Sequence, residues 1–315
     1  MSEKRRYVYG PVYSRRLGRS LGLDLVPFKT CTYDCIYCQL GRTTNKTVER
    51  KEYAPLEAIL DELEGALGGG GPAPDYITLA GSGEPTLNSR IGELIDRIKS
   101  RTDIPLAVLT NGSLLWLDDL QRALAPADLV IPSLDAGDAL LFQEVNRPHP
   151  EVDFEKMLEG LAEFRRRFTR LIWLEVFLLA DINDLAGQVE KLVKATDRVR
   201  PDLVQLNTVS RPPCEDFARP VSRSRLDEAA GMFHQPALVI GETSLTDSGK
   251  DYSKTATDDD ILALLARRPC TVGGVAAGLA LHINEASKRL HKLRNDGQVS
   301  TSRKNGETFY HAVSR

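Results

Sequence analysis

Two hydrophobic periods alternate along the chain. Short, nearly continuous apolar runs at Ser20–Pro27, Tyr76–Ala80, Pro105–Leu109, Leu129–Leu134, Leu171–Leu179, Leu203–Leu206 and Ala237–Ile240 predict strands buried on both faces. Between them the spacing becomes helical. Leu56, Ile59, Leu60, Leu63 and Leu67 form one stripe over Pro55–Leu67, where Pro55 suits a first turn and a four-glycine run from Gly68 ends the helix. Further helices are predicted over Ser89–Lys99, Leu115–Leu124, Phe154–Phe168, Leu185–Thr196 and Arg223–His234. Strands that alternate with helices imply right-handed crossovers and a parallel sheet, so the expected fold class is α/β, a partial (β/α)6-type barrel.

The rhythm stops at Gly241, and the residues to Thr257 are polar and aperiodic. Asp258-Asp-Asp260 then suits the start of a helix running through Arg267, and Val272–Leu281 and Asn284–Arg294 read as two more. Gly297 supplies a stop, and Asn305-Gly306 a hairpin turn. This order predicts a core domain over 1–245, a linker over 246–257 and a winged helix-turn-helix domain over 258–315.

The 315 residues carry 42% hydrophobic and 27% charged residues and a formal charge of −3, which places the chain among globular proteins rather than disordered or membrane-embedded ones. The start, Met-Ser-Glu-Lys-Arg-Arg-Tyr, lacks the apolar core of a signal peptide, and no run is long enough to span a bilayer. The expectation is a cytoplasmic protein without membrane contact. Composition leaves the oligomeric state open.

Candidate chemistry gathers where strands end, the place where functional loops of such sheets collect. Three of the five cysteines, Cys31, Cys35 and Cys38, follow the first strand at C-x3-C-x2-C spacing. Cys214 and Cys270 read as unpaired thiols. Gly81-Ser-Gly-Glu-Pro85 follows the second strand, Thr110-Asn-Gly-Ser113 the third, and Ser133 and Asp135 the fourth. One loop with three thiols suits either a zinc ion with a distant fourth ligand (Cys214 or a histidine) or an iron–sulfur cluster that keeps one iron open.

The cysteine spacing, with Tyr37 before the last cysteine, resembles the signature of the radical S-adenosylmethionine (radical SAM) superfamily, and the later strand ends extend the resemblance over about residues 15 to 240. What it implies is a radical SAM barrel core with a [4Fe–4S] cluster on Cys31, Cys35 and Cys38 and S-adenosyl-L-methionine on its open iron. Ser82, Gly83, Glu84 and Pro85 would meet the methionine amino group, with Glu84 able to set an anion beside the ammonium if it points inward. Asn111, Ser133 and Asp135 would approach the ribose and carboxylate. It further implies one-electron cleavage to a 5′-deoxyadenosyl radical that takes hydrogen from a substrate, and an electron donor such as flavodoxin or ferredoxin.

Within that superfamily, Ser14–Gly22, Phe142–Pro148 and Leu179–Asp184 are most similar to the branch related to the tRNA wyosine-base synthases, although no cysteine precedes Cys31 to hold a second cluster. Arg15, Arg16 and Arg19, together with Asn146 and Arg147, are candidates to contact substrate, and Lys250, Tyr252 and Lys254 are weaker ones. Residues 258–315 carry nine Lys or Arg against six acids, a balance of +3, concentrated on the third helix and the wing. RNA or DNA is therefore an expected partner. Two other readings stay open: an activase acting on a partner protein or peptide, and a transcriptional regulator with an iron–sulfur or zinc sensor.

Overall fold

The computed structural model describes residues 6–69, 73–241, 256–304 and 306–313. The chain begins with an antiparallel pair, β1 (Val8–Ser14) and β2 (Gly18–Asp24), followed by a long loop that holds a two-residue ladder between β3 (Thr30–Cys31) and β4 (Asn45–Lys46). Strands and helices then alternate: α1 (Leu56–Gly68), β5 (Tyr76–Ala80), α2 (Ile91–Lys99), β6 (Leu106–Thr110), α3 (Asp118–Leu124) and β7 (Leu129–Pro132). Two helices follow, α4 (Ala139–Val145) and α5 (Phe154–Arg167), before β8 (Leu171–Leu178), α6 (Ala186–Val199), β9 (Leu203–Thr208), α7 (Arg223–Ala230) and β10 (Ala237–Val239).

The sheet order is β1-β2-β5-β6-β7-β8-β9-β10, parallel throughout except for β1. In a flat sheet β8 would lie about 19 Å from β2. Yet Arg16, in the β1–β2 turn, reaches Glu175 on β8 at 2.5 Å and Gln205 on β9 at 3.5 Å. The sheet is therefore curled into a partial barrel whose two edges, β1 and β10, do not pair and leave an open seam.

Alternation along the strands sorts side chains between the two faces. Ile77, Leu79, Val108, Val130, Leu174, Val176 and Leu206 join the core beneath the helices. Their neighbours point into the barrel, where Leu17, Ala107, Leu129 and Ile131, with Tyr76, Leu109 and Trp173, form a separate apolar floor. Above it the interior turns polar, with Ser20, Thr78, Asp24, Gln205 and Asn207 all buried. Burial on both faces explains why these strands read as apolar runs.

Beyond the seam, α8 (Asp258–Arg267), α9 (Val272–Leu279) and α10 (Ile283–Asn295) pack with a hairpin of β11 (Val299–Lys304) and β12 (Glu307–Ala312). Thr257 and Asp260 make a reciprocal capping box at the start of α8. Ile261, Leu264, Val275, Leu290, Leu293, Val299 and Phe309 form this module's own core, and Val12 of β1 packs into it. Cys270 and Tyr310 exchange backbone hydrogen bonds of 3.2 and 2.8 Å, which tie the α8–α9 connection to the hairpin.

The expected elements lie close to those observed, with β1, the short β3–β4 ladder and α4 added. β1 is a strand despite Pro11, because the pairing is bulged between Tyr9 and Val12. α4 forms within what the sequence presents as a loop, capped by Asp138, which accepts from Leu141 N at 2.9 Å. The expected linker and Lys250, Tyr252 and Lys254 lie largely or wholly outside the described residues, as does Asn305 of the expected hairpin turn. No helix among the described residues is long and apolar enough to cross a membrane.

Candidate functional site

The cysteine loop leaves the carboxyl end of β2 and is fastened along its length. Ile36 N donates to Val145 O and Asp34 N to Asn146 O, both at 3.0 Å, while Cys38 N and Gly41 N close successive turns onto Cys35 O and Cys38 O. Each of the three sulfurs receives a donor from the protein. Cys31 Sγ accepts from Asn111 Nδ2 and Tyr33 N, both at 3.5 Å, Cys35 Sγ from Asn146 Nδ2 at 3.5 Å, and Cys38 Sγ from Lys29 Nζ at 3.2 Å. Burial pushes the Cys31 thiol up to about 12, and Cys35 well above the ordinary thiol range. Such thiols are poor nucleophiles, and coordination to metal is what removes their protons.

The turn after β5 passes directly under this loop. A Cβ on Gly83 would stand 1.9 Å from Thr30 O, so only glycine permits the approach. Gly81 has φ +128, and a Cβ there would strike the Asp24 carboxylate, which accepts from Ser82 N at 3.1 Å and Ser82 Oγ at 2.5 Å. Lys29 N to Ser82 O at 2.7 Å and Glu84 N to Thr30 O at 3.0 Å join turn and loop.

Glu84 is buried, and its carboxylate is fully engaged within the protein. Oε1 accepts from Thr86 N (3.0 Å), Thr86 Oγ1 (2.6 Å) and Thr110 Oγ1 (2.7 Å), and Oε2 from Asn111 N (2.7 Å). Burial still raises its pKa, which those donors offset in part. The side chain thus braces the ends of β5 and β6, which differs from the expected anion beside an ammonium. Asn111 completes the link: its Nδ2 donates to Thr32 Oγ1 at 2.7 Å, and its Oδ1 accepts from Ser113 N at 3.0 Å.

Asp135 anchors the far side. Its Oδ2 accepts from Tyr37 OH at 2.5 Å and Asn146 Nδ2 at 2.8 Å, its Oδ1 from Phe177 N at 2.9 Å, and burial raises its carboxyl to about 6. Tyr37 lies flat on Phe177, with centroids 4.1 Å apart and planes 9° from parallel. Ser133 bridges to Glu175 in the strand ladder. The structure therefore gathers the cysteine loop and the ends of β5, β6 and β7, as the strand-end motifs predict.

Other candidates separate. Arg16 turns inward to Glu175, whereas Arg19 turns outward, its backbone N and Nη2 donating to Asp75 (2.7 Å) and to Ala73 O (2.6 Å). Asn146 is the buried C-cap of α4, bonded to Asp135 and Cys35, which makes it part of the cysteine loop's support. Arg147 pairs with Glu215 at 2.6 Å. Lys29, Thr32 and Asp24 have no signature in sequence, and Asn183, within the Leu179–Asp184 stretch, carries no expected role; its Nδ2 donates to Asp135 O and Phe177 O, both at 2.8 Å.

Two observations test what this arrangement can hold. Among the described residues no three His, Cys, Asp or Glu are gathered around one point as a single zinc ion requires in its loaded state. A cluster instead binds each thiolate to its own iron, so its donors surround a volume rather than a point, and hydrogen bonds to sulfur tune it. Asn146, whose Nδ2 meets Cys35 Sγ, keeps its Oδ1 buried without a hydrogen-bond partner among the described residues. These features fit a cluster with a ligand.

The family described as "Radical SAM superfamily" matches residues 25–194. A Methanocaldococcus jannaschii UPF0026 protein is 32% identical over 309 residues, covering 96% of this chain and 94% of that protein. A Brachyspira hyodysenteriae protein named GTPase Obg is 42% identical over 308 residues, 98% of this chain, which spans only 45% of that protein's length. Among solved structures, a radical SAM methyltransferase from Sphaerobacter thermophilus superposes with TM-score 0.57 at 19% identity (70% of this chain, 65% of that one). TYW1 with a lysine-pyruvate adduct bound gives 0.51 at 18% (68% and 72%). At these identities the structural likeness concerns the fold.

Proposed function

The chain belongs to the radical SAM superfamily, whose enzymes use a [4Fe–4S] cluster and S-adenosylmethionine, and from that premise we propose that Cys31, Cys35 and Cys38 hold the cluster and that the enzyme modifies a nucleic-acid substrate, with RNA favoured. When bound, the cluster and S-adenosylmethionine supply a carbon radical able to take a hydrogen atom from a substrate. The observation that carries the reading is the set of three half-buried cysteines, each sulfur given its own N–H donor, above a turn that a glycine and the Glu84 brace hold against them.

The roles of the chain's own residues follow from that geometry. Lys29, Asn111 and Asn146 orient and stabilise the thiolates. Glu84 keeps the Ser82–Pro85 turn and Asn111 in register, so the turn meets a methionine amino group through its backbone rather than through the carboxylate. Asn111, Ser133 and Asp135 would face the cofactor's ribose and carboxylate, and Asp135 also fixes Tyr37 against Phe177. The apolar floor beneath keeps water from the reaction zone.

In the terminal module, a winged helix-turn-helix in this reading, Lys288, Arg294 and Arg303 are exposed and have no carboxylate partner among the described residues. Arg289 and Lys292 are engaged with Asp258, and Arg289 also with Glu285, so the basic face is narrower than the sequence count implies. The cytoplasm and an electron donor such as flavodoxin or ferredoxin suit this chemistry.

Anaerobic reconstitution is expected to give about four iron and four sulfide per chain. Cys31→Ala, Cys35→Ala and Cys38→Ala should each abolish it, and reduction with S-adenosylmethionine should yield 5′-deoxyadenosine. Zinc in place of iron, or no such product under strict anaerobiosis, refutes the reading.

A further inference from the structure

Lys29 stands two residues before the first cysteine of the loop and keeps only 3% exposure. Its backbone takes φ +58, in the left-handed region that lysine seldom adopts. Such a conformation persists where the surroundings fix it, and here they do. Lys29 N donates to Ser82 O at 2.7 Å, and Lys29 O accepts from Asn45 N at 3.1 Å. From this backbone the side chain turns inward, and its Nζ donates to Cys38 Sγ at 3.2 Å.

An ammonium held out of water needs a negative charge beside it. Among the described residues Lys29 makes no ion pair, and Cys38 Sγ is the one hydrogen-bond partner of its Nζ. The buried carboxylates at this place face other donors: Glu84 accepts from Thr86, Thr110 and Asn111, and Asp24 from Ser82. Lys46, on the same loop, shows the ordinary alternative, since it is exposed and donates to the carbonyls of Arg147 and Pro148 at 3.2 and 3.3 Å. The negative charge that Lys29 is placed to meet therefore lies on the sulfur side, and a protonated thiol does not carry one. Cys31 and Cys35 receive neutral amide donors at 3.5 Å, so the cation falls on one corner of the site, at Cys38.

We propose that Lys29 is a positioning residue whose ammonium compensates the charge of the reduced cluster through Cys38 and so sets the potential at which the electron enters. The inference rests on the reading that Cys31, Cys35 and Cys38 hold that cluster. One electron passes from a one-electron donor to the metal centre, no proton moves, and no bond of Lys29 forms or breaks. The added negative charge lies beside a fixed cation in a site sheltered from water, where the attraction is stronger than in solvent. Lys29 thus favours the reduced state and raises the potential, which brings reduction within reach of a weaker donor.

The test is a redox titration of the anaerobically reconstituted full-length protein without S-adenosylmethionine, followed by electron paramagnetic resonance of the reduced state. Lys29→Gln keeps an N–H donor for Cys38 but drops the charge, and Lys29→Met drops both. Each should move the midpoint potential downward. Lys29→Arg should stay near the wild type, and Lys46→Gln should leave the potential unchanged. The downward shift should persist in high salt, since a buried charge is poorly screened.

An unmoved potential in Lys29→Gln, or an equal shift in Lys46→Gln, overturns the proposal. So does a shift that appears only once S-adenosylmethionine is bound, because the charge compensated is then the cofactor's carboxylate. If the neutral variants take up no iron, uptake by Lys29→Arg with the wild-type potential supports the role of the charge, and failure of that variant as well overturns it. A wild type that takes up no iron refutes the cluster reading instead, which keeps the two failures distinct.

Discussion

Arg16→Met removes the cation from the ion pair that Arg16 and Glu175 make in the barrel interior. Arg16 Nη1 lies 2.5 Å from Glu175 Oε2, and after its loss Glu175 retains Asn207 Nδ2 at 3.0 Å as its remaining hydrogen-bond donor. Breaking a buried pair typically costs about 3–5 kcal/mol, because the abandoned charge stays desolvated. Both side chains here keep 16% exposure, which places the loss near the lower end, about 3 kcal/mol. For a domain of this size that lowers the melting temperature by roughly 6–12 °C.

The pH dependence separates this mechanism from mere loss of packing. In the wild type, burial raises the Glu175 pKa, but Arg16, Asn207 and Arg15 outweigh it and the net shift is downward. A depressed carboxylate stabilises the fold above its unfolded value and loses that contribution only as pH falls through the folded value. Between pH 5.5 and 8 the group therefore leaves wild-type stability level. Without Arg16, burial dominates and the pKa rises, so the variant should lose stability as pH increases. Thermal melts at pH 5.5 and 8 read this directly, with a larger deficit at pH 8. Glu175→Gln in the Arg16→Met background should recover most of it. An equal deficit at both values, or no recovery in the double variant, would refute the reasoning.

Glu84→Ala leaves Thr86 N and Asn111 N without their acceptor at about 1–3 kcal/mol each, so urea denaturation should show a lower midpoint and calorimetry at least tenfold weaker S-adenosylmethionine binding. Gly160→Ala sets a Cβ 2.6 Å from the Trp116 backbone, which should cost about 1–3 kcal/mol in denaturant and lower cluster occupancy little. Lys288→Glu with Arg303→Glu should weaken RNA binding and flatten its dependence on log salt by about one unit per lost contact, read by anisotropy; an unchanged slope removes the terminal module from the nucleic-acid interface.

The strands of the barrel were legible because burial on both faces writes each as an apolar run, and the helices because each buries one stripe. β1 was hidden by Gly10-Pro11 within a bulged pairing, and α4 by its short length inside a stretch that looked like a loop motif. The cysteines and the strand-end motifs were legible because their chemistry is local in sequence. The orientation of Glu84 was not, since it depends on Thr110 and Asn111, which the curl of the sheet brings up from the next strand. Lys29, Asp24 and Asn183 act through neighbours that only the fold supplies.

Val12 carries a consequence for how the molecule comes apart. Its strand is hydrogen-bonded to β2 in the barrel, while its half-buried side chain packs against the core of the terminal module, beside the contacts of α8 and α9 with β1. Neither core can melt without stripping a face from the other, which merges two nominal domains into one cooperative unit. Scanning calorimetry should record a single endotherm, and excising the terminal module would bare an apolar sheet edge rather than release an independent bead. The smallest fragment of this enzyme that behaves as a protein is then close to the whole chain.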